Sequence, residues 1–313
     1  MNLISEHGFS QFVLVKGLFV VYFVAFFSLY FQVQGLMGDH GLLPIQKFLQ
    51  TCRNYFGKNA KKKIPTLFWW NHSDRFVQSV AGLGLLISII GFLGIATFPC
   101  VLFLWILYLS FVVVGQEFFS FQWDALLLEL GFMSIFLALQ FPSSSLLWFS
   151  YWFLLFRLMF SSGIVKLRSK DELWRSRTAL VYHYETQPLP NPLSFYFHHF
   201  PLWFHKASTS LVLFLELMMP FAILFGHPGR VVAGISLLVF QGIIAVTGNF
   251  AFFNLLTVVL IGSLFDGDFF SGVPYIMTNH WMVLTWIQHG MGLIFIGINL
   301  YWVLELFFSE KLR

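Results

Sequence analysis

The chain has 313 residues, of which 58% are hydrophobic, 20% aromatic and only 10% charged, with a mean hydropathy of +0.77. Soluble domains carry roughly 25% Asp, Glu, Lys and Arg, so this composition excludes a soluble globule and makes lipid the main solvent. A net charge of +4 from 18 cations is too dilute for a nucleic-acid surface, which needs cations clustered on one face; membrane phosphates are the expected counter-ions.

Crossing the hydrocarbon core takes about 20 mostly apolar residues in a helix. On that measure the sequence predicts an all-α fold, a multi-pass transmembrane helical bundle of about eight or nine spans. The first runs from Phe12 to Phe31. It is too long for a secretory leader and lacks a small-residue cleavage site after it. A polar loop over about 34–75 follows, holding Arg53, Lys58, the triplet Lys61, Lys62, Lys63 and the pair Trp69, Trp70. Next come Val77–Phe98 and Val101–Val114, hinged at Pro99, then Ala125–Phe141 and Leu146–Ile164, separated by Pro142 and a run of serines. A second polar loop, about 166–207, contains LPNPLSFYFHHFP, whose prolines forbid a continuous helix. The remaining runs are Leu211–Phe225, Val231–Val246, Phe250–Phe265 and Trp281–Phe308. The whole chain, 1–313, reads as one transmembrane domain. The short alternating segments of a membrane barrel are absent. So is the correspondence between two halves that marks an inverted-repeat transporter.

Orientation gives two answers. With nine spans, the positive-inside tendency puts the basic loops on the same, cytoplasmic, side as Lys311 and Arg313, opposite Asp266 and Asp268, and leaves the N-terminus outside. Cys52 and Cys100 lie far apart and form neither a disulfide framework nor a CxxC knuckle.

An ionisable side chain at bilayer depth costs about 2.5–3.5 kcal/mol on insertion scales, so the polar residues inside apolar runs are the informative ones. The densest set is GQEFFSFQWDALLLELGF, with Gln116, Glu117, Gln122, Trp123, Asp124 and Glu129. On one continuous helix Glu117 and Asp124 share a face, whereas Asp124 and Glu129 diverge by about 140° and form no dyad. Asp124 and Arg157 are expected to be neutralised by ion pairing or to form a working polar core. Lys166 is expected to pair with Asp124 or Glu129, or to snorkel to the headgroups. Glu216, Gln241, Asn249, Asn254 and Glu305 are expected to link helices. The segment around His183, Tyr184, Glu185, His198 and His199 carries imidazoles and a carboxylate, but its spacing fits neither HExxH nor a zinc finger. No metal site is expected there. The prolines imply a rigid recognition loop or re-entrant plug.

The strings GQEFFSFQWDALLLELGF, FRLMFSSGIVKLRSKDELW, TALVYHYETQPLPNPLSFYFHHFPLWFHK and TGNFAFFNLLT, in this order, together with YFQVQGLMGDHGLLP after the first span, resemble the lipase maturation factor family. The resemblance implies an endoplasmic-reticulum membrane protein with a chaperone-like role: helping newly made homodimeric lipases such as lipoprotein lipase to fold, dimerise and leave the compartment. It also implies a secreted lipase client, membrane lipids as surroundings and no cofactor. Members of that family typically continue into a soluble C-terminal domain of β character; here the sequence stops at Arg313, which reads as a fragment or a short variant. The family places the loop after the first span and the proline-containing loop on the luminal side, opposite to the charge-based reading. In the absence of an endoplasmic-reticulum retention motif, a bacterial inner membrane is the alternative location.

A shorter stretch, SSGIVKLRSKDELW, is similar to part of the transmembrane region of vitamin K-dependent γ-carboxylase. That likeness implies Lys166 as a general base acting on a quinone-type lipid. Two expectations follow: a maturation factor without enzymatic activity, presenting Trp123, Asp124 and the His183–His199 loop to a client, or a membrane enzyme built on Lys166.

Overall fold

The computed structural model describes residues 8–139, 143–187, 191–265 and 282–308. Among them there is no strand. The principal helices are α1 (Gly8–Met37), α2 (Ile45–Phe56), α3 (Asp74–Phe92), α4 (Thr97–Val114), α5 (Gln122–Leu137), α6 (Ser145–Arg168), α7 (Leu202–Leu217), α8 (Gly226–Thr247), α9 (Phe253–Ile261) and α10 (Met282–Phe308). Each predicted apolar segment is helical over most of its described residues. Among the described residues six helices, α1, α3, α4, α6, α8 and α10, are long and apolar enough to cross a membrane. The segments predicted at Ala125–Phe141 and Phe250–Phe265 correspond to the shorter α5 and α9, and the one at Leu211–Phe225 is divided between the end of α7, which begins earlier, at Leu202, and a one-turn helix, Met219–Ala222. At 16 residues, α5 and α7 rise about 24 Å, less than a hydrocarbon core of about 30 Å. The span ends predicted at Phe141 and Trp281, together with Pro142, Pro190, Asp266, Asp268, Lys311 and Arg313, lie outside the described residues.

Two local expectations are corrected. The break between α3 and α4 is not at Pro99 but at Gly94 and Ala96, both with positive φ; Pro99 sits in the first turn of α4, where a fixed φ and a missing N–H cost nothing. Glu117 and Asp124 do not share a continuous helix. Gln116 takes a φ of 50°, a 3-10 turn covers Gln116–Phe119, and Phe121 is extended before α5 begins.

Residues 15–139 form one compact unit, and residues 1–14 with 140–313 form another. In the first unit α1 and α3 run antiparallel in a register fixed by size. Buried positions of α3 include Ala81, Gly84, Ser88 and Gly91, small residues at helical spacing that let a neighbouring helix approach closely. Phe26 and Phe19, seven apart on α1, sit over Gly84 and Gly91, seven apart on α3: a Cβ added to either glycine would lie 2.5 Å or 2.2 Å from the facing ring. The same register is held at both ends. Lys16 Nζ donates to the Phe92 carbonyl, Gln34 Nε2 donates to Gln78 Oε1 at 2.9 Å, and Asp39 N donates to Asp74 Oδ1 at 2.8 Å. Around this pair Tyr22, Phe26, Phe68, Tyr108 and Phe111 make an aromatic core with edge-to-face contacts.

In the second unit α6 is the central helix, packed against α10 and α7. Ser144 caps it, accepting from Leu147 N at 3.1 Å. A Cβ on Gly292 of α10 would lie 2.7 Å from the Leu146 backbone, so the two helices touch almost main chain to main chain. Trp152 donates to the Ser263 carbonyl at 2.8 Å, and the Arg230 guanidinium stacks 4.2 Å from the Trp152 ring.

The ring-over-glycine register predicts that Gly84→Leu and Gly91→Leu each destabilise the protein by about 1–3 kcal/mol through overpacking. Gly242→Leu, where a Cβ meets nothing within 4 Å, should be nearly neutral. Thermal unfolding of the detergent-solubilised variants checks the difference.

Candidate functional site

The best-defined polar constellation is built on Gly163 and Lys166, one turn apart on α6. Without a side chain at Gly163, α7 comes in close: a Cβ there would lie 2.6 Å from Leu217 Cδ2 and 3.2 Å from Glu216 Cβ. That approach delivers Glu216, a lone carboxylate in an apolar run and only 6% exposed, to Lys166. The Lys166 Nζ donates to Glu216 Oε1 at 2.6 Å and Oε2 at 2.7 Å, and to the Ser162 carbonyl at 3.4 Å. An ammonium has three donors, so all are engaged. The Trp174 ring lies 5.3 Å from the same nitrogen, a cation–π contact.

The partner of Lys166 is therefore Glu216, not Asp124 or Glu129, and Glu216 is more than a helix-linking residue. Sequence reasoning missed it because fifty residues separate the two. The available signal was a cation in the last turn of one apolar helix and the one carboxylate of another.

The second polar loop folds around this pair. His183 ends a short helix, Ala179–His183, and its ring stacks on Phe250 at 6.3 Å and 9°. Burial, and secondarily the nearby Lys166 charge, hold its imidazole below the usual histidine range. Tyr184 is buried between Phe197 and His205, and burial raises its phenol. The Glu185 carboxylate lies 3.6 Å from His198 Nε2, while His198 Nδ1 is 3.1 Å from the Val181 carbonyl. His199 is exposed, with Nδ1 2.7 Å from the Phe195 carbonyl.

Local chemistry fixes the chain path. Asn191 accepts from Leu193 N at 2.9 Å and starts the short helix Pro192–His198 with proline in its first turn. Gln187 Nε2 donates to the Thr247 carbonyl at 2.8 Å, and Asn191 Nδ2 donates to Gly248 at 3.2 Å. Both ties anchor the loop to the end of α8. Its outer surface is aromatic: Tyr182, Phe195, Tyr196, Phe200 and Trp203 are between 43% and 70% exposed. Among the described residues, no group of three His, Cys, Asp or Glu is arranged to hold a metal ion.

The remaining predicted residues are distributed differently. In the 15–139 unit Asp124 is 2% exposed and accepts from Tyr108 at 2.5 Å, a partner the sequence reading did not identify. The signal was a single tyrosine in the apolar helix preceding it. Gln122 is exposed at the start of α5 and Trp123 stacks on Phe121 at 4.5 Å. Glu129 is half-buried, turned away from the Asp124 face, and Arg157 is half-buried on α6 of the other unit.

Long apolar helices, charges neutralised between them and a tied-down aromatic loop define a multi-pass helical membrane protein. Residues 9–272 match the family described as the Lipase maturation factor transmembrane domain, and the chain belongs to that family. It is 39% identical over 281 residues to Lipase maturation factor 1 of Bos taurus, covering 84% of this chain and 50% of the relative. To Lipase maturation factor 1 of Homo sapiens it is 37% identical, covering 82% and 48%. To Lipase maturation factor 2 of Xenopus laevis it is 39% identical, covering 84% and 40%. The chain thus spans about half the length, or less, of these relatives. No solved structure matches it significantly.

Two predictions follow from this geometry. Removing Lys166 strands the buried Glu216 carboxylate, a change that costs about 3–5 kcal/mol, so Lys166→Met should sharply lower folded yield; Glu216→Leu, which leaves a lysine whose side chain is 23% exposed, should lower it less, and the double replacement should restore most of the yield, as size-exclusion profiles in detergent report. The linkage at His183 has a definite sign. Its folded pKa is lowered, so the unfolded chain binds the extra proton first, and stability falls as pH drops below the ordinary value of about 6.5. His183→Gln should flatten that part of the melting-temperature profile between about pH 7 and 5.

Proposed function

We propose that this chain is the membrane part of a factor that assists the folding, assembly or export of secreted lipases, and that it works in the endoplasmic-reticulum membrane. The family membership supports the reading, since its relatives carry the name lipase maturation factor. The observation that carries it to a surface is the second polar loop. Exposed aromatic side chains on a mobile loop would collapse on one another. Here Gln187, Asn191 and the capped Pro192 helix hold Phe195 and Tyr196 outward, and Trp203 stands exposed in the first turn of α7.

A fixed apolar surface beside polar tips suits a partially folded client, because it binds exposed hydrophobic segments without first ordering itself. In this reading Tyr184, Glu185, His183, His198 and His199 support or border that surface. Gln122, Trp123, Asp124, Glu129 and Arg157 serve the stability or the polar surface of the bundle. Lys166 is one half of a structural tie that fixes the base of the loop; with every ammonium donor engaged, it has no place as a base in this scheme, and the scheme needs no cofactor.

Cells in which the gene is disrupted should make lipase protein at normal levels yet lose secreted lipase activity. Re-expression of the gene with Phe195→Ser, Tyr196→Ser and Trp203→Ser together should fail to rescue while accumulating normally. Unchanged secretion in the disrupted cells would remove the lipase reading; full rescue by the triple variant would remove the loop from it.

A further inference from the structure

The segment from His40 to Ser73 holds Lys47, Arg53, Lys58, Lys61, Lys62 and Lys63 and not one Asp or Glu. This is a third of all the cations of the chain, in little more than a tenth of its length. Among the described residues none of these six forms an ion pair or a side-chain hydrogen bond with the protein, and all are exposed. The inner face of α2 is committed to the fold, with Ile45, Leu49 and Cys52 buried, so the outer face is where the charge collects.

The chain then makes a specific shape. Gly57, at a φ of 55°, ends α2 and donates its N–H to the Arg53 carbonyl. The turn Gly57–Asn59 and the short helix Ala60–Lys63 double back beside the end of α2. Ala60 is buried and Trp69 donates to the Ile64 carbonyl at 2.8 Å, which fixes its indole. The result is a concavity of about 380 Å³ lined by Arg53, Gly57, Lys58, Ala60, Lys61 and Trp69. Three cations, an indole wall and no carboxylate make a receptor for an anion.

We propose that this concavity binds the phosphate of an anionic phospholipid headgroup. The segment joins α1 to α3, both long enough to cross the bilayer, so it starts and finishes at headgroup level. Tyr55, Trp70 and Leu42 on the same segment are 82%, 79% and 73% exposed, and amphipathic aromatic rings at this depth favour the interface. A lipid offers the phosphate and the adjoining apolar contact at once, whereas a free phosphate or an acidic peptide uses only the charges. The bound headgroup would complete the charge balance of a loop that has no anion of its own.

The test measures equilibrium binding of dioctanoyl phosphatidic acid to the purified chain in phosphatidylcholine nanodiscs, with empty discs as background. Each basic residue near an anionic surface contributes about 1 kcal/mol, or roughly fivefold. Arg53→Gln, Lys58→Gln and Lys61→Gln combined should therefore weaken binding on the order of a hundredfold. Lys62→Gln with Lys63→Gln, adjacent in sequence but outside the concavity, should cost less than about fivefold. Equal loss in both sets would reduce the site to diffuse charge and overturn the proposal. So would inorganic phosphate or a polyglutamate peptide displacing the lipid at equal concentration, or wild-type protein binding phosphatidic acid no better than the neutral lipid. Because binding is read on purified protein, the outcome is independent of any lipase.

Discussion

Ionised side chains cannot remain alone among apolar helices, and this constraint shapes the contact between α6 and α7. Lys166 and Glu216 each occupy an apolar helix, and each alone would be expelled, neutralised or left at several kcal/mol. They are retained because Gly163 removes the side chain that would keep α7 off α6, so the carboxylate arrives within 2.7 Å of the ammonium with both oxygens. A single missing Cβ thus decides whether two charges are a liability or a tie. Trp174 lies over the ammonium, and the Lys166 charge is felt at His183 of the loop.

The same logic of small residues operates without charge elsewhere. Phe19 and Phe26 fit the gaps left by Gly91 and Gly84, and Tyr22 comes against Gly131, where a Cβ would lie 2.1 Å from its hydroxyl oxygen. In lipid, the apolar side chains of two helices gain little by leaving the solvent, because the solvent is equally apolar; close packing and a few polar links must supply the association. The links are sparse: Gln34 with Gln78 and Asp74 with the Asp39 backbone near helix ends, and Tyr108 in the interior of α4 with Asp124. Each binds elements that steric fit has already brought together.

Function follows from where rigidity is placed. The second polar loop is fixed by two carboxamides to the end of α8 and by a proline-started helix. Its aromatic side chains consequently face outward as a set. The loop between α1 and α3 presents the contrasting surface, basic and concave. The two proposed roles, an apolar surface for a client and a basic one for lipid, are compatible in one membrane-embedded chain.

The sequence alone determined the solvent and the elements, because hydropathy over about 20 residues and proline placement are local properties. Composition excluded a soluble protein, and the apolar runs located the long helices to within a few residues. The strings around Asp124, Lys166 and His183 carried the family likeness. Which charge meets which was not legible. Lys166 and Glu216 are fifty residues apart, and their meeting depends on the packing distance between two helices, which a glycine permits but does not announce. The break at Gly94 and Ala96 rather than Pro99, and the turn that separates Glu117 from the helix of Asp124, were hidden for a related reason. A proline tolerated in a first turn looks the same in sequence as one that interrupts a helix, and only the tertiary path shows which it is.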